Sequence, residues 1–426
     1  MGRLGSSDTR GRREDFAGRE VGPPHKWRIL GLLAAVELLA NAVWFSASAV
    51  VPQLASQWNL SGSGQSWLTM SVQLGFVAGT LLAAFLNLAD RVSLRSLIML
   101  SALAASASTA AIAVLVATPG PALALRFLTG VMMAGIYPPG MKLVATWCDR
   151  DRGLGMGILV GALTIGSALP HLVAAFPAGL GPMGSLSWRP VLLWAAALTL
   201  AASFLAAFLK PGPLLPASAA FNPKYALKIW IRPGLRLANF GYLGHMWELY
   251  AMWAWAPLLI LASFQKAGWS GRAAHWAGFS AIAVGAFGCL AAGFVADRWG
   301  RTRTTALCLA VSGACCLTAG FAFNRPWALL GLCLIWGISV VADSAQYSAA
   351  VSELSDPAYV GTALTIQTSL GFLLTMVTIR LVPGLTARWG WTASLAVLGL
   401  GPLFGLVSMI RLGRRPEAKC LAGGRG

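Results

Sequence analysis

The sequence predicts an all-α integral membrane fold: twelve transmembrane helices in two six-helix bundles related by a pseudo-two-fold axis. Three observations carry that expectation. The 426 residues are 57% hydrophobic and 11% charged, against roughly one-quarter charged in a soluble domain. Apolar runs of about 20 residues, enough to cross a hydrocarbon core, recur along almost the whole chain. Finally, "ELLANAVW" at 37–44 returns as "ELYAMWAW" at 248–255, each followed at the same distance by a further Trp, Trp58 and Trp269.

The twelve runs fall at 28–51, 66–87, 95–116, 120–146, 153–176, 188–209, 236–262, 273–296, 304–323, 326–349, 359–382 and 389–411. Span 1 follows a polar, basic tail, residues 1–27. This tail lacks the apolar core and small-residue cleavage site of a secretory signal and is expected to be retained. Span 4 contains Pro138-Pro139-Gly140, and consecutive prolines remove ladder hydrogen bonds, so a break is expected there. Broken helices at membrane depth are tolerated where they line a cavity. Residues 210–235 read as a linker, because Lys210 to Pro233 holds five prolines and four cations. The second bundle is expected at 236–412 and a basic tail at 413–426, leaving 28–209 for the first. Trp27, Trp58, Trp188, Trp389 and Trp391 suit the interfacial aromatic belts, whereas Trp44, Trp253 and Trp255 lie deeper and suit the walls of a solute site.

A formal net charge of +18 raises the possibility of a nucleic-acid binder, and its placement argues against one. With the N-terminus inside, 24 of the 32 Lys and Arg fall in the tails and inward loops, the asymmetry that orients membrane proteins. Both ends are therefore expected in the cytoplasm, facing anionic headgroups. The seven cysteines form no C-x-x-C pair and read as small apolar residues rather than metal ligands. Neither a phosphate-cradling G-x-x-x-x-G-K-[ST] loop nor a nucleophile–base arrangement is legible, which argues against an ATP-driven pump and an enzyme. No cofactor is expected.

After span 8 the chain reads "GFVADRWGRTR", residues 293–303, which resembles the loop signature G-x-x-x-D-R-x-G-R-x-R of the major facilitator superfamily. The first-half copy, "NLADRVSLR" at 87–95, keeps Asp90, Arg91 and Arg95 but has Ser93 at the glycine position. "RFLTG" at 126–130 resembles the family's R-x-x-x-G element. The resemblance covers residues 28 to about 412 and implies a permease working by alternating access. It also implies a gating role for Asp90, Arg91, Arg95, Gly293, Asp297, Arg298, Gly300 and Arg301. The residues support such a role by themselves. Carboxylates at helix ends can pair with Arg and meet the positive N-terminus of a neighbouring helix, a contact that can form in one conformation and release in another.

An ionisable side chain at membrane depth costs about 2.5–3.5 kcal/mol on insertion scales and is by default a functional candidate. Glu37, Asn41 and Trp44 share one face of span 1, and His245, Glu248 and Trp255 one face of span 7; both faces are expected to turn inward to a shared cavity. A buried carboxylate can load and release a proton as its surroundings alternate between wet and dry. Glu248, with His245 one turn away, is the preferred proton carrier, and Glu37 with Asn41 the solute site. Arg126 suggests coupling or anion binding, and Asp343 with Gln346 in span 10 suggests a cavity lining. The fifth helix, "GILVGALTIGSALPHL", lacks the Gly-Pro and Gly-Gly signature of the family's drug exporters. The expectation is proton-coupled uptake of a small organic anion or neutral metabolite across the cytoplasmic (inner) membrane. Efflux is the alternative and a non-transporting sensor a remote one. The expected partners are lipid, solute and protons, with the monomer sufficient.

Overall fold

A computed structural model describes residues 23–148, 151–176, 188–214, 221–222 and 225–426. Arg3, Arg10, Arg12, Arg13 and Arg19 of the basic tail, Arg150, and Pro216, Pro223 and Lys224 of the linker lie outside the described residues. All regular elements among the described residues are helical.

Nine stretches cross once: Gly62–Phe85, Leu94–Leu115, Pro119–Trp147, Arg152–Ala175, Arg189–Ala206, Pro233–Lys266, Gly271–Trp299, Arg301–Ala322 and Pro326–Leu354. Span 1 is a bent pair, His25–Val43 and Ser48–Trp58, meeting at 42°. The last stretch, Pro357–Gly413, has 57 residues and at 1.5 Å per residue would be about 86 Å long, far beyond one crossing. It folds back at Gly390, whose φ of 76° and ψ of 178° suit glycine alone. The Thr386 hydroxyl then donates to Ser394 Oγ at 2.9 Å, although eight residues of straight helix would separate them by about 12 Å. Twelve spans result, as expected, with Lys26 and Arg411 on the same face.

Span 4 breaks as the prolines foretell, but ahead of them. The chain leaves one helix at Met133 and begins another at Tyr137, with proline in its first turn. A missing N–H is harmless there, because first-turn N–H groups have no intrahelical acceptor. Span 10 breaks at the corresponding point, between Pro326–Ala342 and Ser344–Leu354. The linker carries its own helix, Tyr225–Ile231, held by Tyr225 stacked on Tyr359 at 4.7 Å. Beyond span 12 the chain coils into Pro416–Gly423 and buries Ala418 and Leu421.

The halves meet at both ends. Spans 2 and 11 run together on the side away from Lys26, where Thr375 donates to Gln73 Oε1 at 3.1 Å and Ser66 to the Ile379 carbonyl at 3.4 Å. Spans 5 and 8 close nearer the Lys26 face, and a Cβ added at Gly157 would lie 2.7 Å from the Cys289 carbonyl. Trp27 and Trp389 are exposed as belt residues should be. Trp188 is a correction: it is buried, donates to Gln57 Oε1 at 2.6 Å and packs edge-on against Trp58 at 5.6 Å. With its N–H satisfied inside the protein, it packs span 6 against span 1 instead of facing headgroups.

Candidate functional site

Between the halves lies a small cleft lined by Tyr137 and Leu163 from the first and Tyr250, Trp253, Ser344 and Phe372 from the second. Aromatic rings form its walls. Trp44 packs against Phe76 at 5.1 Å and Phe372 at 5.4 Å, and Tyr250 against Phe372 at 4.9 Å and Trp253 at 5.4 Å. The break in span 1 aims Trp44 and Phe45 into this cluster, where Phe45 meets Trp253 at 5.8 Å. The indole N–H groups of Trp44 and Trp253 are buried without a partner. An unpaired buried donor costs about 1–3 kcal/mol, so Trp253, in the cleft wall, is ready to bond an acceptor that enters, while Trp44 packs behind Phe372. Trp255, expected in this wall, instead donates to the Ile379 carbonyl at 3.1 Å and ties span 7 to span 11.

The two repeated carboxylates do not line the cleft; Glu37 turns toward span 4 and Glu248 toward spans 9 and 10. Glu37 Oε2 accepts from Asn41 at 3.0 Å. Its Oε1 has no partner and lies where a Cβ at Gly140 would come within 2.5 Å. Glu248 accepts from Ser312 at 3.0 Å, Cys316 at 3.1 Å and the Trp336 indole. Three donors from spans 9 and 10 hold the carboxyl in place. One cysteine is therefore more than a small apolar residue.

The expected stripe on span 7 divides at this point. His245, one turn before Glu248, turns to span 10, with its Nδ1 2.9 Å from Asp343 Oδ1 and both side chains 1% exposed. Tyr347 donates to Asp343 Oδ2 at 2.7 Å, and Tyr242 and Tyr347 flank the imidazole at 6.1 and 5.3 Å between ring centres. Asp343 sits in the break of span 10, next to the cleft residue Ser344. An acid and a base are thus buried together beside the cleft. His245 Nε2 is unpartnered.

Arg126 serves span 1. Its guanidinium donates to the carbonyls of Leu68 at 3.1 Å, Val43 at 2.7 Å and Trp44 at 2.5 Å, and to Ser46 Oγ at 3.3 Å. The break in span 1 frees carbonyls that have no water to bond at that depth, and the fork of donors on one Arg supplies the need.

At the Lys26 face the second loop motif spans the halves. The Asp297 carboxylate lies against Gly153, whose added Cβ would be 2.4 Å from Oδ1, in the first turn of span 5. It therefore sits at the N-terminus of span 5, where negative charge is favoured. Arg301 reaches Asp297 at 3.3 Å, grips Glu353 through two bonds of 2.8 and 2.6 Å, and donates to Gln346 Oε1 at 2.7 Å. Gly293 lets span 8 approach the Gly153 carbonyl, 2.7 Å from an added Cβ. Gly300 turns the chain at φ 103°, and Arg298 lies over the Phe294 ring at 3.7 Å. In the first half Asp90 pairs with Lys142 of the same half at 2.5 Å, while Arg91 and Arg95 are exposed.

The sequence model of the Major Facilitator Superfamily matches residues 33–265 and 238–426. The chain belongs to the major facilitator superfamily. Facilitators of this kind are multi-pass membrane transporters for small molecules, not enzymes. A gallate transporter of Pseudomonas putida is 25% identical to this facilitator over 331 residues, 70% of this chain and 71% of that one. Among solved structures, the proton:xylose symporter XylE bound to 6-bromo-6-deoxy-D-glucose superposes with a TM-score of 0.71 at 16% identity, over 91% of this chain and 96% of that one.

Several residues that complete these networks in the facilitator fold carry no distinct signal in the sequence. Glu353 lies past the apolar limit of span 10, and Lys142 lies near the end of span 4, where a cation is unremarkable. Trp336, Tyr347 and Tyr250 look like ordinary packing residues until their partners are known.

Proposed function

We propose that this facilitator takes up a small, flat organic acid or neutral metabolite together with protons by alternating access across the cytoplasmic membrane. The observation that carries the reading is the juxtaposition of an aromatic-walled cleft, with the unpartnered Trp253 N–H in its wall, and the buried His245–Asp343 pair. Indole rings stack on a planar solute, and their N–H groups suit the oxygens of a carboxylate or hydroxyl. The relative that carries gallate, a planar aromatic acid, agrees with that chemistry. The groups facing the pair are Tyr242 and Tyr347, with Glu248 one turn along span 7. Geometry favours the pair over Glu248 as proton carrier, because three donors already hold Glu248. The bonds of Arg126 favour a role in shaping span 1 over direct anion binding.

In this reading 28–209 and 236–412 are the moving halves, and 1–27, 210–235 and 413–426 face the cytoplasm. The Asp297–Arg301–Glu353 network is a latch that must open for inward release, and the monomer suffices. The test is uptake of labelled aromatic acids and neutral analogues into proteoliposomes, with and without an inward proton gradient. Wild type is expected to accumulate a member of the panel when the gradient is imposed. Asp343→Asn should lose accumulation yet keep solute exchange at equal concentrations. Movement only against an inward proton gradient would assign the efflux alternative, and no movement of any solute would overturn the reading.

A further inference from the structure

A cleft of about 630 Å³ opens on the Lys26 face, between the ends of spans 9 and 12 and the C-terminal segment. Arg303, Arg414, Arg415, Lys419 and Arg425 line it, and no acidic side chain does. Glu417, the acidic neighbour in sequence, packs instead on Gly234, 3.0 Å from an added Cβ. Among the described residues none of these five cations has a carboxylate side chain within ion-pair distance. The other wall is apolar, with Ala306 and Ile410. Ile410 continues along span 12 into Val407 and Leu403, all exposed on one helical face. Charge asymmetry between the two sides of a membrane asks only for cations near helix ends. It does not ask five of them to converge, with no carboxylate side chain among them, on one concavity beside a lipid-facing ridge.

We propose that this cleft holds the phosphate headgroup of an anionic phospholipid, with the acyl chains lying along the Leu403–Val407–Ile410 face. Arginine forks and a Lys ammonium match phosphate oxygens, and basic pockets between spans are where such headgroups are held. The site also reaches the latch. Arg425 donates to the Asp297 carbonyl at 2.5 Å, Thr302 to the Gly426 carbonyl at 2.7 Å, and the Ala422 N–H to Glu353 at 3.0 Å. A bound headgroup therefore braces the C-terminal segment beneath the Asp297–Arg301–Glu353 network. The inference needs only membrane insertion and does not depend on which solute is carried.

Native mass spectrometry of the purified full chain, titrated with phosphatidylglycerol, cardiolipin or phosphatidylcholine, tests it. Wild type should retain the anionic lipids in preference to phosphatidylcholine. The triple variant Arg414→Gln/Arg415→Gln/Lys419→Gln, which spares every latch contact, should lose that retention by about tenfold or more. Arg414→Lys/Arg415→Lys should keep most of it, and Arg91→Gln/Arg95→Gln, which removes two exposed cations elsewhere on the same face, should behave as wild type. Thermal unfolding of each variant checks that it is folded; if the triple variant unfolds early, the singles Arg415→Gln and Lys419→Gln are compared with wild type in the same assay. Equal losses in the cleft and control variants would reduce the site to diffuse surface charge and overturn the proposal. Displacement of the lipid by glycerol 3-phosphate or inorganic phosphate would overturn it too, assigning a soluble anion instead.

Discussion

The two glutamates written into equivalent apolar stretches solve the burial problem differently. Glu248 is surrounded by donors from Ser312, Cys316 and Trp336, an arrangement that fixes the carboxyl and joins three helices. Glu248→Gln should therefore leave gradient-driven accumulation intact and lower stability by about 1–3 kcal/mol, because an amide presents a donor where a donor already points. Thermal unfolding in detergent and uptake under a proton gradient read the two effects separately; loss of coupling with unchanged stability would return the proton to Glu248. Arg126 presents the complementary case, one guanidinium bonded to two carbonyls and a hydroxyl at the span 1 break and to the Leu68 carbonyl of span 2. Arg126→Lys keeps the charge but not the fork, and the orphaned carbonyls should cost about 2–4 kcal/mol. The same unfolding assay measures it.

At the scale of the element, backbone approach decides where spans can pack. A Cβ at Gly75 would sit 1.9 Å from the Phe127 carbonyl, and one at Gly130 2.1 Å from the Val72 carbonyl. Spans 2 and 4 therefore touch backbone to backbone, the close packing that small residues permit in membranes. Gly75→Ala should force the helices apart and sharply reduce folded yield, read by fluorescence-detected size-exclusion chromatography. Gly331 in span 10 has nothing within 4 Å of an added Cβ, so Gly331→Ala should be neutral or stabilise by up to about 1 kcal/mol. The interruptions of spans 1, 4 and 10 belong to this scale as well. Each frees backbone groups that a specific partner must satisfy, and each brings the chain to the cleft.

At the scale of the whole molecule, the contact that ties the halves near the Lys26 face is asymmetric. Asp297 lies at the N-terminus of span 5 of the opposite half, while Asp90 pairs with Lys142 in its own. A carboxylate at a helix N-terminus contributes about 0.3–2 kcal/mol, and a change of about 1 kcal/mol shifts a two-conformer ratio about fivefold. Asp297→Asn should thus favour separation of spans 5 and 8 at that face, seen as longer distances between spin labels at positions 152 and 298. Asp90→Asn should change those distances much less. An unchanged distribution in Asp297→Asn would mean that the contact does not hold the halves.

The sequence by itself determined the membrane fold, the twelve crossings, the six-plus-six duplication and the family. Those depend on hydrophobic length, on charge asymmetry and on spacing within a motif, which are properties of adjacent residues. It also marked the side chains that could not sit in lipid unpartnered: Glu37, Arg126, His245, Glu248 and Asp343. Their partners were decided only in three dimensions. His245 and Glu248 are one turn apart on the same helix, yet one meets Asp343 and the other Ser312, Cys316 and Trp336. The reason is geometric: neighbours on a helix diverge by about 100° per residue, so which helix each side chain meets depends on how the spans pack. No local pattern records that packing.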